Sequence, residues 1–254
     1  MAIASFEIYE FEQETSSILA NELVMYDKAA SRLNGLFVEK LYEAVASPDR
    51  LRAKKVVATM LESGIGPCQI ADDYIPRVAE LLGEAWCRDN IDFAVTTIGS
   101  ARLQGLLRSL GPEWCADDTF LPRSVPRFCV IVPEHGQHTL GASILAGQLR
   151  RRKISVDLEI GRSIDALEGQ LSLNRYDAVL ISASAREGLV AVRNIVDLVR
   201  NTDQSIPVLV GGGLLTLSDD IQNLTGADFV TSNLDDAIAF CNKSVPNLRL
   251  VINK

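Results

Sequence analysis

The chain has 254 residues, 47% of them hydrophobic, and a formal net charge of −8. That length suits one large domain or two small ones with an ample core, and no apolar run is long enough to span a membrane. An acidic chain is repelled by nucleic-acid phosphates, which argues against direct DNA binding and for a protein partner or a small ligand.

Residues 1–15 interleave Glu7, Glu10, Glu12 and Glu14 with Phe6, Ile8, Tyr9 and Phe11. They read as a mobile tail or a segment that orders on a partner. They show no basic stretch followed by an apolar one, so no secretory signal is expected and the expected compartment is the cytoplasm. Residues 16–46 read as helix, with Ile18, Leu19, Leu23, Val24, Leu33, Phe37 and Leu41 at helical spacing. Ser47-Pro48-Asp49 then offers an N-cap and a first-turn proline for a helix ending near Gly64. Residues 68–89 and 93–110 continue as helix up to Gly111-Pro112. The tail and first helix (1–46) thus lead into a helical cap (47–111), which with the first helix makes a small four-helix bundle.

Residues 112–126, with Pro112, Pro122 and Pro126, read as a linker. From 127 to 254 the pattern alternates. Strands are expected at 127–133, 154–160, 177–184, 206–213 and 228–232, with helices at 139–152, 163–174, 188–201, 218–225 and 234–243. Five such units imply a flavodoxin-like, five-stranded parallel sheet wound on both faces. Cys68, Cys87, Cys115, Cys129 and Cys241 are odd in number and lack zinc-site spacing, so they read as reduced and mostly buried.

Both histidines, His135 and His138, follow the first strand. In an open α/β sheet, ligands bind at the carboxyl ends of the strands, and a neutral imidazole there is a good transition-metal ligand. The third strand ends on Ser182-Ala183-Ser184 and the fourth on Gly211-Gly212-Gly213. Gly-x-Gly-x-x-Gly is absent after the first strand, which disfavours a nicotinamide site. No acid–base dyad or nucleophile constellation stands out, so an enzyme is not expected.

His138-x-x-Gly141 resembles the cobalamin-binding signature Asp-x-His-x-x-Gly, with Gly136 in place of the Asp. The resemblance implies that His138 coordinates cobalt from below and that Gly141 lets backbone approach the cofactor. It further implies that Ser182 bonds the dimethylbenzimidazole nitrogen and that the glycines pass the nucleotide tail, with Ser184 where Leu is usual. A side chain at Gly212 is then expected to block the tail and leave the fold intact. The acceptor that orients the His must come from elsewhere, such as Glu134 or water. Leu82-Gly83-Glu84-Ala85-Trp86 followed by Phe93-Ala94-Val95-Thr96-Thr97 resembles the cap of such domains, in which the Trp packs over the upper corrin face. Thr96-Thr97 stand where light-sensing repressors have Glu-His, leaving His135 as the other candidate upper ligand.

With Tyr74-Ile75-Pro76 and Ala101-Arg102-Leu103-Gln104, these strings resemble the PpaA/AerR antirepressors of photosynthetic proteobacteria over roughly 47–243. That family implies a light-responsive cobalamin regulator of photosynthesis genes acting on a CrtJ/PpsR-type repressor. Two alternatives stay open: a corrinoid methyl carrier of a methyltransferase system, and a haem-binding redox sensor on the same fold. The oligomeric state and the form of cobalamin are left open.

Overall fold

The computed structural model describes residues 33–115, 125–134, 136, 139–185, 188–245, 248 and 250. These fall into two compact units, divided between Leu106 and Leu107. The tail 1–15 and residues 16–32 lie outside the described residues.

The first unit is helical. α1 (Gly35–Ala46) starts on Asn34, whose side chain accepts from Leu36 N. α2 (Arg52–Glu62) begins about four residues later than Ser47-Pro48 suggests. The cause is local: Ser47 Oγ accepts from Asp49 N and Asp49 Oδ1 from Leu51 N, so both side chains close a turn instead of capping a helix. Gly64 ends α2 with φ +86°.

A helical rod then runs from Pro67 to Cys87 as α3 (Pro67–Gln69), a π-helical segment (Ile70–Tyr74) and α4 (Ile75–Cys87). Pro76 supplies the reason for the π segment. It has no N–H for the carbonyl one turn earlier, and Ile75 N reaches back to Ile70 O instead. α5 (Phe93–Ser109) packs closely on α4, since a Cβ at Gly99 would lie 2.8 Å from Leu82 Cδ1. Leu41, Met60, Ile70, Tyr74, Ile75, Leu82 and Leu103 fill this unit's core. Arg102 donates to Val45 O at 2.7 Å and to Ser47 O, placing a cation on the carbonyl end of α1.

The second unit is the doubly wound sheet. α6 (Pro112–Cys115) precedes β1 (Arg127–Val132), α7 (Thr139–Arg151), β2 (Ser155–Ile160), α8 (Ile164–Leu173) and β3 (Ala178–Ser182). Then come α9 (Gly188–Thr202), β4 (Val208–Gly211), a 3₁₀ turn (Gly213–Leu217), α10 (Ile221–Thr225), β5 (Phe229–Val230) and α11 (Leu234–Ser244). The strand order is β2-β1-β3-β4-β5, all parallel. The strands were readable as unbroken apolar runs because a parallel sheet is covered on both faces.

On one face Cys129, Ile131, Val179, Ile181, Val208 and Val210 meet Leu167, Leu171, Val192, Ile195, Val196 and Val199 of α8 and α9. On the other, Phe128, Val130, Val132, Leu180 and Leu209 meet Ala142, Ala146, Leu149, Ala237 and Cys241 of α7 and α11.

Part of the stretch read as linker is helix. Trp114 of α6 is 7% exposed, and a Cβ on Gly147 of α7 would lie 2.6 Å from its ring. Arg151 donates to the Trp114 carbonyl.

Candidate functional site at the carboxyl edge of the sheet

Parallel pairing brings the carboxyl ends of β1, β3 and β4 to one edge, with Ser182 opposite Gly211 in register. The β1–α7 junction opens with Pro133, which accepts from Gly136 N at 2.9 Å, and with exposed Glu134. His135, Gln137 and His138 lie outside the described residues. Gly141 sits exposed in the first turns of α7, with no atom within 4 Å of where a Cβ would stand. Neither its backbone nor a neighbouring side chain calls for glycine, and glycine inside a helix costs about 1 kcal/mol relative to alanine. The described structure therefore leaves open space at this position.

Ser182, Ala183 and Ser184 meet the three glycines directly. Ala183 N donates to Gly211 O at 3.0 Å, and Ala183 O accepts from Leu214 N at 3.0 Å. The three glycines have different causes. Gly212 has φ +92° and ψ −171°, a region essentially reserved for glycine, and a Cβ there would lie 2.5 Å from Ala183 O. A Cβ on Gly211 would lie 2.8 Å from Thr231 O. Both are demanded by the chain's own backbone. The expectation that a side chain at Gly212 leaves the fold intact is therefore corrected, because it collides with main chain before it meets any ligand. Gly213 is different. A Cβ there meets only Ser184 Cα, at 3.8 Å, in ordinary contact, and the residue is exposed. A side chain there would thus meet no backbone obstacle of the kind found at Gly211 and Gly212.

The sequence reading missed a fourth loop. Thr231 follows β5, donates from N to Val210 O and accepts at Oγ1 from Asn233 N. Asn233 caps α11 by accepting from Asp235 N and Asp236 N. The signal was available as an Asn ahead of Asp-Asp at a helix start. A buried polar network in the same unit was also missed. Arg127 bonds Asp157 at 2.7 Å, Tyr176 donates to Asp157 at 2.5 Å, and Gln170 donates to Tyr176 at 3.0 Å. Burial, then the bond to Asp157, pushes the Tyr176 phenol up. Burial, then the nearby Glu159 and Asp157 carboxylates, pushes the Cys129 thiol up to about 12.

In the helical unit, Trp86 stands against Phe93 with ring centroids 5.9 Å apart and tilted by 57°. Phe93 and Ile98 are 57% and 50% exposed. Thr96 and Thr97 bond back to Asp92 O and Phe93 O, as helix threonines do.

The strand-end edge thus brings together exposed Gly141, Gly213 and the Ser182-Ala183-Ser184 segment. Among the described residues no cluster of three or more His, Cys, Asp or Glu could hold a metal ion. No described helix is long and apolar enough to cross a membrane.

Residues 126–238 match the B12 binding domain family. A Rhodobacter capsulatus protein described as an uncharacterized 20.5 kDa protein in the bchF-crtJ intergenic region is 34% identical over 172 residues, covering 67% of this chain and 89% of its own. The monomethylamine corrinoid protein of Methanosarcina barkeri superposes with a TM-score of 0.69 at 14% identity, over 83% of this chain and 99% of that one, and shares the fold. The chain belongs to the PpaA/AerR-type cobalamin-binding proteins.

Proposed function

We propose that the protein is a cobalamin-dependent, light-responsive antirepressor, not an enzyme, acting in the cytoplasm on a CrtJ/PpsR-type repressor of photosynthesis genes. The observation that carries this reading is the relative encoded between bchF and crtJ, matched along 89% of its length. His138, in the segment between β1 and α7, would hold the cobalt of bound cobalamin through its imidazole. Gly141 admits the corrin edge to the start of α7, Ser182 offers a hydroxyl to the nucleotide base, and Gly213 leaves the groove open for the tail. Trp86 and Phe93 form an aromatic pair within the helical unit. Bound cobalamin supplies a cobalt–carbon bond that light can break.

The methyl-carrier reading is the weaker one, since Gly136 removes the carboxylate that would tune the His ligand. An absorption spectrum of the purified protein separates corrinoid from haem. His138→Ala and His135→Ala are then loaded with hydroxocobalamin. His138→Ala is expected to lose retention at least tenfold. Equal retention by His138→Ala and the parent chain would reject the ligand assignment, and loss by His135→Ala alone would transfer it to His135.

A further inference from the structure

The charge of this chain is unevenly placed. The first 27 residues hold Glu7, Glu10, Glu12, Glu14, Glu22 and Asp27 and no Lys or Arg, so they carry −6 of the total −8. The opposite sign is concentrated at the start of α2. Arg50, Arg52, Lys54 and Lys55 fall within six residues that contain no acid, and the first turn of α2 has no carboxylate. Cations in a first turn oppose the helix dipole, so local helix energetics disfavours this arrangement.

The same helix exposes apolar surface. Ala53, Val57 and Met60 are buried, while Leu51 is 59% exposed, Leu61 is 42% exposed and Ala58 is exposed. At 100° per residue, Leu51 and Ala58 fall on one line, with Lys54 and Lys55 on either side of it and Leu61 on the Lys54 side. Arg52 is engaged by Glu43 at 2.8 Å, whereas Lys54 and Lys55 point to the exposed side. The face therefore mixes Leu51, Ala58 and Leu61 with the ammonium groups of Lys54 and Lys55, and its far end carries the single carboxylate of Glu62. Phe6-Glu7-Ile8-Tyr9-Glu10-Phe11-Glu12 carries the complementary chemistry, apolar and acidic side chains in alternation.

We propose that the N-terminal segment 6–14 docks in cis on the exposed face of α2, its Phe and Ile side chains on Leu51, Ala58 and Leu61 and its carboxylates on Lys54 and Lys55. Nineteen residues separate Glu14 from Asn34. At about 1.5 Å per residue as helix or about 3.3 Å extended, they cover the distance in either form. Tethering gives the segment a high effective concentration, so weak contacts suffice. The free protein then keeps this face covered, and an acidic partner segment of the same chemistry uncovers it by competition.

Zero-length carbodiimide cross-linking of the full chain, mapped by mass spectrometry, tests this. Cross-links from Glu7, Glu10, Glu12 or Glu14 to Lys54 and Lys55 are expected within one chain, falling several-fold at 0.5 M NaCl. They should vanish in Lys54→Glu/Lys55→Glu. Amide exchange across residues 50–62 should quicken several-fold in that variant and in Glu7→Lys/Glu10→Lys, and return toward the parent rate when the four changes are combined. Exchange that is unchanged in both single-sided variants would overturn the proposal. So would cross-links found only between isotopically distinct copies, which would assign the face to a second molecule.

Discussion

Gly212 and Gly213 are adjacent and chemically identical, yet the backbone demands glycine only at the first. Gly212→Ala is expected to destabilise the sheet unit by at least about 1–3 kcal/mol, the usual cost of a forbidden backbone region, seen as a lowered urea midpoint. Gly213→Val should keep the parent midpoint and circular dichroism but lose cobalamin retention at least tenfold. A Gly213→Val chain that binds normally would remove the groove from the nucleotide path. The buried thiols make a second residue-level prediction. Burial raises Cys129 and Cys241 to about 12 from an ordinary 9.0. The folded state holds these protons more tightly than the unfolded chain, so the stability they contribute is complete below about pH 9 and drains away as pH rises toward 12. Each thiol contributes a slope of up to about 1.4 kcal/mol per pH unit in that window. Urea midpoints measured from pH 8 to 10.5 should fall more steeply for the parent chain than for Cys129→Ala/Cys241→Ala.

Among the elements, α6 shows what sequence patterning misses. Four residues opening on Pro112 read as connector, and only the mate of Trp114, a glycine 33 positions away in α7, reveals a docked element. Gly147→Val should expel the indole. In a Trp86→Phe background, the emission of Trp114 is expected to shift to the red and the sheet unit to lose about 3 kcal/mol, as for other losses of a buried aromatic. Unshifted emission would show that α6 moves with its partner instead. The strands, by contrast, were legible to within two or three residues, because Val130-Ile131-Val132 or Val208-Leu209-Val210 can be buried on both faces only in a parallel sheet. The start of α2 was not legible, because Ser47 and Asp49 serve a turn with the same hydrogen bonds that would have served a cap. The π segment was foreshadowed by Pro76 alone.

For the whole molecule, the regulatory reading rests on coupling between cofactor state and partner affinity. A tenfold light-dependent change needs about 1.4 kcal/mol of difference between the two states, which is within the reach of one repacked aromatic. Cobalamin-loaded protein kept in the dark is expected to differ at least tenfold from illuminated protein in affinity for the repressor. Trp86→Ala should shrink that difference. Identical affinities would leave a cobalamin carrier without a light switch, and a difference that persists in the apoprotein would place the sensor elsewhere. The candidate site was legible as a set of loops on one edge, since strand order follows from the alternation of elements. Which glycine faces a ligand was not, because that depends on carbonyls contributed by other strands. The rims of the sheet have a consequence of their own. β5 is two residues long, and β2 turns Asp157 and Glu159 inward, where Arg127 and Arg162 hold them at 2.7 and 2.9 Å. Short rims and inward charges deny a neighbouring molecule the straight, bare ladder it would need to add a strand. The sheet is self-terminating, which disfavours edge-to-edge pairing between copies of the chain.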